Sequence, residues 1–271
     1  MSLDLSALAA YTDETKMPLI KQTLLTGRTM SLITVQPDIK SAAPINILSS
    51  SAVFQAGACG FNASGTTVLD QRLLTVSSIK QNEAICVDDL EAYWTQSLMK
   101  AGSYNEEIPF EQMYAEEKAA QSAKAIETMV WQGDTAGAGN LALVDGLIKI
   151  IDAEASVVTG TALLLDAANI IDAVDEMVAS IPDDAIEATD LTLFMGYDKY
   201  RLYASALRDA NLFHYDGKEN ADFTMFVPGT AVKVVAVSGL NNTGIAGAGR
   251  IFLAEASNLY AGVDLLNDAE D

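Results

Sequence analysis

PFEQMYAEEKAAQSAKAIETMVWQGD, residues 109–134, is the stretch on which the fold turns. Pro109 suits the first position of a helix, where its missing N–H leaves no bond unmade. Phe110, Met113, Tyr114, Ala120, Ala123, Ile126, Met129 and Val130 recur at helical spacing on one face, and Glu111, Glu116, Glu117, Lys118 and Lys124 take the other. The spacing predicts one helix over 109–131, about 34 Å long at about 1.5 Å per residue. Gly133 and the Ala-Gly-Ala-Gly run at 136–139 end it.

Upstream, residues 1–65 read as an extended, weakly regular arm. Gln36-Pro37, Ala43-Pro44 and the run at 56–60 break periodicity, and Ser49-Ser50-Ser51 adds loop chemistry. So long a stretch with so little pattern suggests a segment whose partners come from elsewhere. Residues 66–87 are rich in β-branched residues with partial alternation, as in a two-stranded loop, and 88–100 look helical. Downstream, helices and strands alternate. A helix runs from Ile170 to Ile181 and stops at Pro182, Leu191–Met195 is a buried strand, and 198–210 is a helix. Val232–Val237 and Ile251–Ala256 are strands around a Gly-rich loop at 239–249. The fold class is α+β.

The chain has 271 residues, enough for a sizeable core. Half of them are hydrophobic, which excludes a disordered chain. No uncharged apolar run approaches the length of a membrane span, and Met1–Ala10 has no basic region or apolar core of a secretory signal. Net charge is −21, with −6 on residues 1–130 and −15 on 131–271. Phosphate binders need Lys and Arg patches, and none is evident, which argues against tight nucleic-acid binding.

Motifs that carry chemistry are few in the sequence. Cys59 and Cys86 form no CxxC pair, and His214, in Leu-Phe-His-Tyr, is the only histidine. No phosphate-cradling or nucleophile-elbow motif occurs. Asp88-Asp89, Glu106-Glu107, Glu116-Glu117, Asp175-Glu176 and Asp183-Asp184 read as solvated faces or, for the last pair after Pro182, as a turn. No catalytic, cofactor-binding or metal-binding residue is assigned, and no cofactor is expected.

The order of segments resembles the major capsid proteins of tailed bacteriophages, which have the Hong Kong 97-type fold. The residues that carry the resemblance are Glu107–Lys118 and Ala125–Asp134 for the spine helix and its exit, then Asp145–Lys149, Phe194–Tyr200, Val227–Leu240 and Leu259–Leu265. Trp131-Gln-Gly-Asp134 after a long helix is the most specific of them. The resemblance covers roughly residues 30–265. It implies an N-terminal arm (1–65), an extended E-loop (66–90) and a peripheral domain (91–140) holding the spine helix. An axial domain (141–256) and a return to the peripheral domain (257–271) follow. Family members continue past such a return, so the end at Asp271 implies a sheet closed differently or a truncated chain.

The resemblance also implies a non-enzymatic subunit that self-assembles into hexamers and pentamers of an icosahedral shell. The shell would enclose phage double-stranded DNA without sequence-specific binding or a membrane. Portal and separate scaffolding proteins would be partners, and the protein would reside in the virion, assembled in the host bacterial cytoplasm. An encapsulin-like nanocompartment shell uses the same subunit logic and stays open as an alternative. An acidic-site hydrolase is the reading from a different class. On the capsid reading, 66–87 is a two-stranded arm that reaches a neighbouring subunit.

Overall fold

The computed structural model describes residues 27–51, 53–57, 59–60, 63–82, 110–161, 164–186, 190–210, 222–241 and 249–264. In chain order the elements are β1 (Thr34–Gln36), β2 (Ala42–Ser50), β3 (Thr67–Thr75), α1 (Phe110–Gln132), α2 (Leu147–Ala153), α3 (Ile170–Ala179), α4 (Asp183–Ile186), β4 (Leu191–Met195), α5 (Tyr197–Asp209), β5 (Thr224–Phe226), β6 (Lys233–Ala236), β7 (Ile251–Glu255) and β8 (Tyr260–Gly262). The architecture is α+β. The chain divides into two compact units, one of residues 1–33 and 78–259, the other of 34–77 and 260–271.

The first unit is built on a four-stranded sheet of order β5-β6-β4-β7. β4 runs parallel to β6 and antiparallel to β7, and β5 runs antiparallel to β6. All five residues of Leu-Thr-Leu-Phe-Met in β4 are buried, which is why this central strand reads as a continuous apolar run. Side chains alternate between two layers. Leu191, Leu193, Met195, Val234 and Ala236 pack with Ile170 and Val174 of α3 and with Tyr200, Tyr203 and Leu207 of α5. Phe194, Val235 and Val237 pack on the other side with Trp131, Leu147 and Leu240.

α1 is one continuous helix of 23 residues, as its period predicts. Its Ala, Glu, Lys and Gln content favours the helix before any packing. The burial stripe differs from the expected one. Ala123, Glu127, Met129 and Trp131 are buried, Val130 is half-buried, and Ala120 is exposed. The side chain of Met113 lies outside the described residues. Glu127 sits on the same stripe as Ala123 and Trp131, at successive i+4 steps, so the apolar face is broken by a carboxylate. Ala123→Asp would bury a charge with no provided partner and should cost about 2–3 kcal/mol. Thermal melting followed by circular dichroism checks this, and an unchanged midpoint would refute the burial of Ala123.

In the second unit β1 pairs in parallel with β8, Thr34 opposite Tyr260. Asp38, which follows Pro37 at the turn toward β2, has φ 65°, a left-handed conformation that Asp tolerates better than most side chains. β2 and β3 form an antiparallel ribbon of nine facing pairs, from Ala42 with Thr75 to Ser50 with Thr67.

This ribbon corrects the expected organisation. Residues 66–82, the described part of the segment 66–87, hold one strand and not two. That strand, β3, pairs backward with β2, which lies inside the stretch read as an irregular arm, and 76–82 form no strand. Pro44 and Ser49-Ser50, which read as breaks, lie inside β2. In a two-stranded ribbon each strand is an edge, and a proline there forfeits no necessary ladder bond. Asp183-Asp184 is a second correction. It opens the short helix α4, whose Ala185 and Ile186 N–H groups donate to the Pro182 carbonyl at 2.9 and 3.1 Å. The expected helix at 88–100, Cys86, His214 and most of the Gly-rich loop lie outside the described residues.

Candidate assembly surface

The ribbon's two faces follow from its register, since facing residues in an antiparallel pair project to the same side. One face carries Leu48 opposite Leu69, Asn46 opposite Gln71, and Pro44 opposite Leu73. The other carries Ser49 opposite Val68, Ile47 opposite Asp70, and Ile45 opposite Arg72. The charges Asp70 and Arg72 thus share one face with Leu74, and Leu48, Leu69 and Leu73 share the other. Leu48, Leu69 and Leu73 are 68%, 65% and 68% exposed. Midway along the leucine face the Gln71 side-chain amide donates to Asn46 Oδ1 at 2.8 Å, which holds the two strands in register. At the connecting loop Phe54 is 96% exposed. Cys59, in the same loop, is an exposed free thiol. Apolar side chains this exposed, set in a row on one face, form the kind of surface that a partner covers.

The exit of α1 is built with little tolerance, and the Trp131-Gln-Gly-Asp134 motif accounts for it residue by residue. Trp131 is fully buried, with its ring centroid 5.3 Å from Phe194 and 5.6 Å from Phe252. Gln132 donates to the carbonyls of Gly239 at 2.6 Å and Asn241 at 3.0 Å, tying the helix end to the turn at Ser238–Leu240. Gly133 donates to the Met129 carbonyl at 2.9 Å and accepts from Gly146 at 2.8 Å. A side chain at Gly133 would overlap the Val144 carbonyl oxygen, and one at Gly239 would overlap the Trp131 ring. Asp134 ends the motif in an ion cluster, with Lys149 Nζ 2.7 Å from it and 2.6 Å from Asp145.

Asp145 also accepts from the Thr135 N–H at 2.8 Å and from the Thr135 hydroxyl at 2.7 Å. The Lys149 ammonium and these Thr135 bonds lower its carboxyl to about 2. Hydrogen bonding to Lys149 lowers Asp134 as well, and the two carboxylates together raise Lys149. A carboxyl lowered in the folded state contributes stability above its ordinary pKa of 3.8, and that contribution is lost as pH falls through about 2. Lys149→Met should move the Asp145 titration up toward its ordinary value. Carbon-detected NMR titration reads this directly, and an unmoved titration would mean that Thr135 alone lowers the group.

A third cluster joins residues 27–33 to α1. The Thr29 N–H donates to both Glu127 carboxylate oxygens at 3.2 Å, and its hydroxyl donates to Oε1. The Trp131 indole N–H donates to the Thr29 hydroxyl at 2.6 Å. Burial raises the Glu127 carboxyl above its ordinary range, against the lowering effects of the Thr29 hydroxyl and amide and of the Arg28 charge. Glu127 carries no motif that marks it in the sequence. The available signal was its i+4 spacing from Ala123 and to Trp131.

Of the acidic pairs, two described members have local side-chain partners. Glu117 accepts from Gln121, and Glu176 accepts from Thr161. Among the described residues no group of three or more His, Cys, Asp or Glu side chains could hold a metal ion. Among them also, no helix is long and apolar enough to cross a membrane. No protein-family model matches the sequence, and no curated protein matches it.

Proposed function

We propose that the chain is a shell-building subunit, a major capsid protein of the Hong Kong 97 type, and not an enzyme. The ribbon is the observation that carries this reading. An isolated two-stranded ribbon is marginal in water, and this one leaves leucines uncovered along one face and a phenylalanine at its loop. Its stability is best supplied by a second copy of the chain. On this reading the β2–β3 ribbon takes the place of the E-loop, α1 that of the spine helix, and the β4–β7 sheet that of the axial domain. Weak contacts repeated around each subunit make a stable shell through effective concentration. Hexameric and pentameric capsomers enclosing phage DNA follow, with portal and scaffolding proteins as partners and the virion as location. Negative-stain microscopy of the purified protein tests the proposal. Rings or closed shells are the expected images, and compact single subunits at all concentrations would overturn it.

A further inference from the structure

Residues 27–33 form a tight turn. The Ser31 N–H donates to the Gly27 carbonyl at 3.3 Å, and those of Leu32 and Ile33 donate to the Thr29 carbonyl at 3.0 and 3.1 Å. The turn sits on α1 through Thr29, which is fully buried, and Glu127 beneath it is 2% exposed. An indole N–H only donates, so the Trp131 bond occupies the Thr29 hydroxyl as an acceptor and directs the hydroxyl proton to Glu127. Every hydrogen bond described for the carboxylate therefore comes from Thr29 of the turn. If the turn lifts, the carboxylate loses these donors and gains water.

Among the described residues the charges nearby are few. On the turn itself, Arg28 acts on Glu127. On α1, Lys124 lies one turn earlier and is exposed. The segment Ser238–Leu240 that packs on this part of α1 has no charged residue, and neither does Gly139–Leu143. On α2, Lys149 is engaged by Asp134 and Asp145, and Asp152 by Arg250 at 2.6 Å.

We propose that seating of residues 27–33 on α1 is coupled to protonation of Glu127, so that the turn is a proton-linked latch. Excluding water from an ionised carboxylate is costly, and that cost falls on the seated form only. The seated form accordingly holds its proton to higher pH than the lifted form, consistent with the upward effect of burial on this carboxyl. Lifting releases a proton, and the seating constant falls as pH rises by up to about tenfold per pH unit, from the ordinary carboxyl range to the seated value. The coupling does not depend on the shell reading.

Amide hydrogen exchange of the full-length chain between pH 5 and 8, corrected for the intrinsic pH dependence of exchange, tests the latch at Ser31, Leu32 and Ile33. Protection in the unsubstituted protein should fall as pH rises. In Glu127→Gln it should be independent of pH and at least as high at neutral pH as the unsubstituted protein shows in acid. Thr29→Val removes a group that lowers the carboxyl, so its loss of protection should extend to higher pH. A flat profile in the unsubstituted protein, the same slope in Glu127→Gln, or no extension in Thr29→Val would overturn the proposal.

Discussion

Trp131→Ala lowers the unfolding free energy by about 3–5 kcal/mol, the cost of deleting a large buried aromatic without collapse of its site. The site has little freedom to collapse. Gly239 and Gly146 approach Trp131 so closely that neither could carry a side chain, and Phe194 and Phe252 frame the ring. The loss is also polar, because the Thr29 hydroxyl gives up its indole donor. Trp131→Phe separates the two contributions. It keeps most of the apolar contact and should cost about 1–2 kcal/mol, mainly through the lost hydrogen bond and a partly filled cavity. Urea unfolding followed by far-ultraviolet circular dichroism measures both variants. A midpoint for Trp131→Ala equal to that of the unsubstituted protein would mean that the residue is not the keystone of the layer beneath the sheet.

The second large effect falls on assembly and spares the fold. Leu48 and Leu69 face each other on the leucine side of the ribbon, and both are more than half exposed. Replacing both by Asp buries nothing new in the isolated subunit, so its unfolding free energy should change by no more than about 0.5 kcal/mol. Two facing carboxylates do repel across the ribbon, and this local term is included in that figure. On the shell proposal the same positions would be covered in an assembly, and each subunit would bury two unpaired charges at a cost of several kcal/mol. The double variant is therefore expected to sediment as single subunits under conditions where the unsubstituted protein forms particles. Particles of normal size from the double variant would exclude the leucine face from the contact.

Much of the first unit was legible because its elements are strongly patterned. The period of 109–131 located α1 to within one residue, and the apolar runs at 191–195, 232–237 and 251–256 marked β4, β6 and β7. Pairing was less legible than type. β3 is strand-like in sequence, but Ala43-Pro44 and Ser49-Ser50 conceal β2: they read as breaks and loop chemistry, and a ribbon that has only edges tolerates them. The parallel pairing of Thr34–Gln36 with Tyr260–Gly262 joins segments more than two hundred residues apart, and no local pattern encodes it. Glu127 escaped notice for a different reason. Glutamate in a helix is ordinarily a solvated residue, and only the donors on Thr29 make its burial tolerable. The exposed leucine face is likewise a property of register: Leu48 and Leu69 acquire a common side only once β2 and β3 are aligned.

Hydrogen exchange of residues 42–50 and 67–75, compared between assembled particles and dissociated subunits, tests most directly whether neighbours cover the ribbon. In single subunits a marginal ribbon should exchange quickly. In particles its amides should exchange at least about tenfold more slowly, because opening the ribbon would then also require breaking its contact with the neighbouring subunit. Equal rates in the two states would contradict the assignment of this surface to assembly.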